Sequence, residues 1–332
     1  MTTKQRVLAF LEKNKGTAIS GQELADTLKI SRTSIWKAIN LLKEEGYAIE
    51  AITNKGYCLS ASSDLLSAEA IRPFLLPELK DRPFHIFKTT ESTNNEAKKI
   101  IVEQANTEAI VLTEEQTKGK GRLGRFFYSP PKTGIYMSLI LKPQMTTMDA
   151  TLITTAAAVA VCLAIEKITK KKPKIKWVND IYLDGYKISG ILTEAVTNFE
   201  NGTIETIILG IGLNFRMPLE GFPAELQSIA GSLLSTENPE TTRNELIAEI
   251  TNQFHHIYQQ IETREYLEAY KERCFVFGKK IDFRQGKQEF EAIPLDIDQQ
   301  GGLIVKMENG EQRTLSYGEI TIKRPFNKEN KK

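Results

Sequence analysis

The chain has 332 residues, 41% apolar and 26% charged, which excludes wholesale disorder and leaves room for two or three domains of roughly 100–200 residues each. Lys plus Arg number 44 against 42 Asp plus Glu, so the net charge of +2 argues against a purely electrostatic nucleic-acid binder but is compatible with a local basic patch. Three scattered cysteines (Cys58, Cys162, Cys274) and three histidines (His85, His255, His256) form no metal-ligand spacing and no disulfide framework, so a reducing cytoplasm is expected.

The first sixteen residues are Lys-rich and amphipathic and lack the apolar core of a signal peptide. A helix from Gln5 to Lys13 offers Val7, Leu8 and Leu11. Ser20 with Glu23 is a capping-box pattern opening a second helix with Leu24, Ala25 and Leu28 on one face. Ser31 caps a third, which buries Ile35, Ile39 and Leu42 and turns Arg32, Thr33, Trp36, Lys37 and Asn40 outward. Tyr47 to Glu50 and Thr53 to Leu59 read as strands around an Asn54-Lys55-Gly56 turn. Three helices and a hairpin in this order predict a winged helix-turn-helix, with Arg32, Thr33, Trp36, Lys37 and Lys55 facing DNA. Residues 1–60 hold nine Lys or Arg against six Asp or Glu, which agrees. A small helical interaction domain with a solvated charged face is the alternative.

Ser60 to Asp64 reads as a linker, and Leu65 to Leu79 as helix broken by Pro73 and Pro77. A strand from Phe84 to Lys88 follows. Ser92-Thr93-Asn94 caps a helix starting near Asn95, and Ala109 to Glu114 is an apolar strand. Gly119, Gly121 and Gly124 then satisfy G-x-G-x-x-G, but Pro130-Pro131 and a strand from Gly134 to Leu141 follow where a dinucleotide-binding fold needs a helix. The loop instead concentrates Lys118, Lys120, Arg122 and Arg125 among glycines, a composition suited to an anion; a plain basic surface loop is the alternative. Thr151 to Ile168 is apolar but carries Thr154, Thr155 and Glu166, and reads as a buried core helix, so no membrane partner is expected. Ile175 to Val178, Ile181 to Leu183, Lys187 to Ala195 and Ile204 to Asn214 are further strands, with Asp184-Gly185 as a hairpin turn. Antiparallel hairpins beside helices give an α+β class. Helices at Asn244 to Tyr258 and Tyr266 to Cys274 precede five short strands: Lys280 to Arg284, Gln288 to Ile297, Leu303 to Met307, Gln312 to Ser316 and Glu319 to Lys323. Turns at Gln285-Gly286, Gln299 to Gly302 and Asn309-Gly310 punctuate a small SH3-like β-barrel, and Asn327 to Lys332 reads as a disordered tail.

Five segments in order carry a resemblance over nearly the whole chain: Glu91-Ser92-Thr93-Asn94, Gly119 to Arg125, Lys176-Trp177-Val178-Asn179-Asp180, Lys187-Ile188-Ser189-Gly190-Ile191-Leu192 and Gly210-Ile211-Gly212-Leu213-Asn214. Behind a winged helix, this set resembles the bifunctional biotin protein ligases, also called biotin operon repressors. The resemblance implies a winged helix-turn-helix over residues 1–62, a central mixed α/β catalytic domain of class II synthetase-like type over 63–272, and an SH3-like domain over 273–326, then a tail. It implies that biotin and ATP form biotinyl-5′-AMP, and that biotin is then transferred to a lysine of the biotin carboxyl carrier protein of acetyl-CoA carboxylase or pyruvate carboxylase. ATP and Mg²⁺ serve as co-substrate and ion, with no permanently bound cofactor. Operator DNA is the further partner, bound by a homodimer formed with biotinyl-5′-AMP as corepressor.

Residue roles follow from the same resemblance. Lys187 and Arg122 are the catalytic pair. Ser92, Thr93, Asn94, Gln116, Lys120, Gly121, Arg122, Lys187, Gly212 and Asn214 bind biotin, although Ser92 could equally be a helix cap. Arg125, Phe127, Lys176, Asn179 and Asp180 meet the nucleotide, and Asp180 is the metal candidate. Lys120 stands where the family more usually has Arg, which loses a bidentate fork. Phe127 stands where a Trp is frequent, as a smaller lid over adenine. A lipoate ligase on the same scaffold and a non-catalytic ligand sensor remain the competing functions.

Overall fold

The computed structural model describes residues 1–104, 107–143, 150–197, 204–235, 241–285, 288–316 and 318–322. Helices α1 (Thr3–Lys13), α2 (Gly21–Leu28) and α3 (Arg32–Glu44) close over a core of their own, made by Val7, Leu8, Leu11, Leu24, Ile35, Ile39, Leu42 and Leu59. Ser20 Oγ accepts from the Glu23 amide and Ser31 Oγ from Ser34, as their types require; the reciprocal capping box forms instead at Thr2 and Gln5. The hairpin strands are β1 (Ile49–Ile52) and β2 (Gly56–Leu59), shifted from the expected Tyr47–Glu50 and Thr53–Leu59. Tyr47 is instead buried in the helical core, and its amide donates to the Leu42 carbonyl. Asn54 and Gly56 both take positive φ, 61° and 107°. A Cβ at Gly56 would run into the Ile19 carbonyl oxygen, because Tyr57 pairs with Ile19 there.

Past the linker, Ser67 caps only one short helix, α4 (Ala68–Ile71). Pro73 and Pro77 each open a 3₁₀ turn, so the expected Leu65–Leu79 helix is mostly not α-helical. A seven-stranded sheet follows in the order β3 (Phe84–Phe87), β4 (Ala109–Thr113), β5 (Gly134–Leu141), β9 (Ile204–Asn214), β8 (Tyr186–Thr197), β7 (Asp180–Leu183), β6 (Lys174–Lys176). The β3–β4 pair is parallel and the remaining pairs are antiparallel. Helix α5 (Thr93–Glu103) covers one face over Val111, Ile140 and Ile208. The other face packs on α6 (Ala150–Thr169), which in turn meets α7 (Arg243–Gln259) and α8 (Tyr266–Arg273). Among the described residues α6 alone is long and apolar enough to cross a membrane; here it lies 72% buried within the fold.

The last strands form a five-stranded antiparallel sheet, β13 (Gln312–Leu315), β12 (Leu303–Met307), β11 (Gln288–Ile297), β10 (Ile281–Gln285), β14 (Ile320–Ile322). Its buried side chains join the core beneath the seven-stranded sheet, and the Trp177 indole donates to the Gly301 carbonyl at 3.0 Å. The turn at Gly286, the strand end at Lys323 and the tail lie outside the described residues.

Candidate functional site

A cavity of about 350 Å³ opens against the larger sheet, lined from within β5, β8 and β9 and by the loops around them. All fifteen residues expected to meet biotin, nucleotide or metal line it, although they come from six separate segments of chain. Helix α5 begins at Thr93, two residues earlier than expected. Ser92 occupies the N-cap position but its side chain makes no capping bond. The Thr93 amide donates instead to Gln116 Oε1 at 2.9 Å, so a side chain from the following strand region satisfies the helix end. Gln116 Nε2 donates to Ser129 Oγ at 2.9 Å. The Ser138 hydroxyl lies 2.7 Å from Thr93 Oγ1 and 2.6 Å from Asn94 Oδ1, while Asn94 Nδ2 donates to Glu194 at 2.8 Å. Ser92, Thr93 and Asn94 are 3–5% exposed, and Thr93 and Asn94 share Ser138 as a partner in a buried polar network.

The glycine loop folds as a flap. Lys120 bridges to Phe126, the Gly121 amide donates to the Arg125 carbonyl at 2.7 Å, and Leu123 takes φ 54° at the tip. A Cβ at Gly119 would strike the Phe127 carbonyl oxygen, whereas one at Gly121 would find its nearest neighbour at 3.5 Å. Arg122 Nη1 donates to Asn179 Oδ1 at 3.2 Å, and the Asn179 carboxamide donates to the Ile191 carbonyl at 2.9 Å. Arg125 pairs with Glu319 at 2.5 Å, which ties the flap to the last sheet. Lys118, by contrast, pairs outside the cavity with Glu91.

Lys187 Nζ sits 2.6 Å from Asp180 Oδ1, with the two side chains 33% and 19% exposed. Its backbone is held on both sides, by Ile229 O and Gly231 N. Burial lowers the Lys176 ammonium below the ordinary lysine value, and the Asp180 carboxylate opposes that shift. Phe127 meets Tyr136 edge-on at 6.5 Å and overlies Gly212, where an added Cβ would come within 2.6 Å of its ring; Phe126 beside it is 63% exposed. Asn214 Nδ2 donates to Gly231 O at 2.9 Å.

Several lining residues went unnoticed in the sequence. Phe222, which meets Tyr128 edge-on at 6.4 Å, and Leu226, Ile229 and Ala230 close one side from an irregular segment with no periodicity to read. Glu319 and Thr321 enter from the last sheet. Also unforeseen is a buried network behind the cavity. Arg243, 1% exposed, donates through Nε to Asp64 at 3.0 Å and through Nη1 to Glu114 at 2.7 Å, and Arg216 reaches Asp64 at 2.8 Å. Among the described residues no three His, Cys, Asp or Glu side chains cluster as a metal cage. A Mg²⁺ ion needs only one or two carboxylates beside substrate phosphates, and Asp180, paired with Lys187, presents a carboxylate to the cavity.

A second groove lies between α3 and the hairpin. Arg32, Thr33 and Trp36 form one wall, and Ala51, Ile52, Thr53, Asn54, Gly56 and Tyr57 the other. Lys37 and Lys55 are exposed beside it but do not line it.

The Biotin/lipoate A/B protein ligase family matches residues 86–214, an HTH domain residues 3–58, and the Biotin protein ligase C terminal domain residues 276–323. The bifunctional ligase/repressor BirA of Bacillus subtilis is 31% identical over 95% of this chain and 97% of its own length. Its namesake in Escherichia coli is 26% identical over 97% and 98%. The solved biotin protein ligase of Aquifex aeolicus, in complex with biotin and ATP, shares the fold with a TM-score of 0.60 at 22% identity, covering 73% of this chain and 99% of that one. With similarity running almost end to end, through the helix-turn-helix, the cavity-bearing sheet and the last sheet alike, the chain belongs to the biotin protein ligase family, in its bifunctional ligase/repressor group.

Proposed function

We propose that this chain is an ATP-dependent biotin–[biotin carboxyl-carrier protein] ligase and a biotin-responsive DNA-binding repressor. The observation that carries the ligase reading is the convergence of five weak motifs on one cavity, with Lys187 Nζ held 2.6 Å from Asp180 beneath a cationic flap. The biotin carboxylate attacks the α-phosphorus of ATP, giving biotinyl-5′-AMP and pyrophosphate; the lysine amine of a carrier protein then attacks the mixed anhydride and releases AMP. Neither step needs a nucleophile from the enzyme. The first needs two anions brought together, and both need the charge on phosphoryl oxygens neutralised.

Lys187 bridges the carboxylate and the phosphate, and Arg122 adds a second cation from the flap. Ser92, Thr93 and Gln116 hold the polar ring of biotin. Asn94, steadied by Ser138 and Glu194, joins that set through its remaining acceptor capacity. Lys120 and Gly121 face the carboxylate end, with Gly212 and Asn214 along the tail; Phe127, lying on Gly212, closes over the same space. Arg125, Lys176, Asn179 and Asp180 take the nucleotide. Asp180 would hold Mg²⁺ with the phosphate oxygens, and the ion would neutralise charge there.

Arg32, Thr33, Trp36, Lys37 and Lys55 meet operator DNA, read by a homodimer that forms when biotinyl-5′-AMP is bound. The chain divides for these tasks at about residues 62 and 272, and it works in the cytoplasm, where ATP, carrier proteins and DNA are found together. Biotin-dependent exchange of labelled pyrophosphate into ATP is the expected result. Exchange with lipoate and not biotin would assign the scaffold to the other acid, and none with either would leave a ligand sensor.

A further inference from the structure

The chain contains two tryptophans, and they are used in opposite ways. Trp177 is 3% exposed and its indole N–H is satisfied by Gly301. Trp36 is 56% exposed, on the outward face of α3, with Arg32 one turn before it and the hairpin residues Ile52, Asn54 and Tyr57 across the groove. The core of that domain does not need it: Ile35, Ala38, Ile39 and Leu42 already fill the inner face. A large apolar ring left in water at the middle of a groove flanked by Arg32, Lys37 and Lys55 is matched by a partner that is anionic outside and apolar at one point inside.

We propose that Trp36 is a sequence-reading residue that selects a thymine in each operator half-site, by packing on its 5-methyl group and donating its indole N–H to the adjacent O4. The proposal rests on the repressor function above and deepens it. An indole offers an apolar face and one donor, with no acceptor. In the major groove thymine alone presents a methyl group beside an acceptor. Cytosine presents an amino donor, which the indole N–H opposes; adenine and guanine offer acceptors but no apolar group. Arg32, one turn earlier on the same face, has the fork that suits guanine, so the two side chains read different chemistry from one helix.

The test modifies the DNA and leaves the protein intact. Duplexes are selected from a random-sequence pool by the full-length protein with biotin and ATP at fixed salt, and each thymine of the recovered sequence is then replaced by deoxyuridine. One position per half-site should lose about fourfold in affinity, the effect of about one buried methyl group. Trp36→Ala should bind the thymine and uracil duplexes equally, while Trp36→Phe, which keeps an apolar ring without the donor, should retain part of the difference. Trp36 is exposed, so both variants should melt with the wild type. Methyl dependence that is absent, or that persists undiminished in Trp36→Ala, overturns the proposal while leaving the repressor function standing. A pool that yields no preferred sequence overturns both.

Discussion

The winged helix and the ligase region carry their chemistry in opposite ways. In the winged helix the side chains proposed to meet DNA, Arg32, Thr33, Trp36, Lys37 and Lys55, are exposed on one helix and one turn, and the core beneath them is apolar and local. In the ligase region Ser92, Thr93 and Asn94 are nearly inaccessible, and Thr93 and Asn94 are held by Gln116, Ser138 and Glu194 from other segments of the chain. A surface that meets a large rigid polyanion needs reach and charge, and water can solvate it when it is empty. A pocket that brings two small anions together needs fixed donors and little water, so its polar groups are paired in advance. The difference shows in what each region tolerates: the first loses contacts one at a time, whereas the second shares its groups.

The largest test of that contrast lies behind the cavity. Asp64→Ala leaves the buried Arg243 short of one carboxylate and Arg216 without that partner, and should cost about 3–5 kcal/mol. Urea unfolding followed by circular dichroism should show the ligase transition moving while that of the winged helix stays; equal loss in both would mean that the two cores unfold as one. Lys187→Ala should lose about 2–4 kcal/mol of transition-state stabilisation, by analogy with removing one oxyanion donor. It is measured as the rate of pyrophosphate exchange at saturating biotin and ATP, and a wild-type rate in the folded variant removes Lys187 from the mechanism.

Within the flap, Gly119→Ala should destabilise by about 1–3 kcal/mol because its methyl meets backbone, and Gly121→Ala should be tolerated for space. Thermal melting of the pair separates a packing requirement from mere loop composition. Arg32→Ala should cost about 1–3 kcal/mol of operator affinity at matched salt, with adenylate formation unchanged. A gel-shift titration that finds equal affinity breaks the assignment of that wall of the groove.

The smallest effect sits at the junction of the two regions. Burial raises the Glu12 carboxyl above its usual value, Lys15 at 3.0 Å opposes this, and the Asp64 and Glu69 charges add to it. A raised carboxyl contributes its stability fully below the ordinary value of 4.5 and loses it as pH rises through the folded-state value. Glu12→Gln should therefore gain on the wild type between about pH 4 and about pH 7, read from urea midpoints at both ends. A gap that narrows on going to neutral pH would reverse the sign.

Much of this protein was legible in its residue order. The three helices with Ser20 and Ser31 as caps, strands such as Gln288–Ile297 and Leu303–Met307, and the refusal of a dinucleotide fold at Gly119 all follow from local rules: capping geometry, period, and what may follow a glycine turn. The cavity residues were legible through the motif order, which links positions that no periodicity connects. Tertiary structure alone decided the rest. That Gln116 rather than Ser92 caps α5, that Arg243 gathers Asp64 and Glu114, and that Phe222 and Glu319 close the cavity depend on segments tens to hundreds of residues apart. A hydrogen-bonding side chain in sequence specifies that it needs a partner. Which partner it gets is settled only when burial removes water and leaves the nearest group of the right polarity.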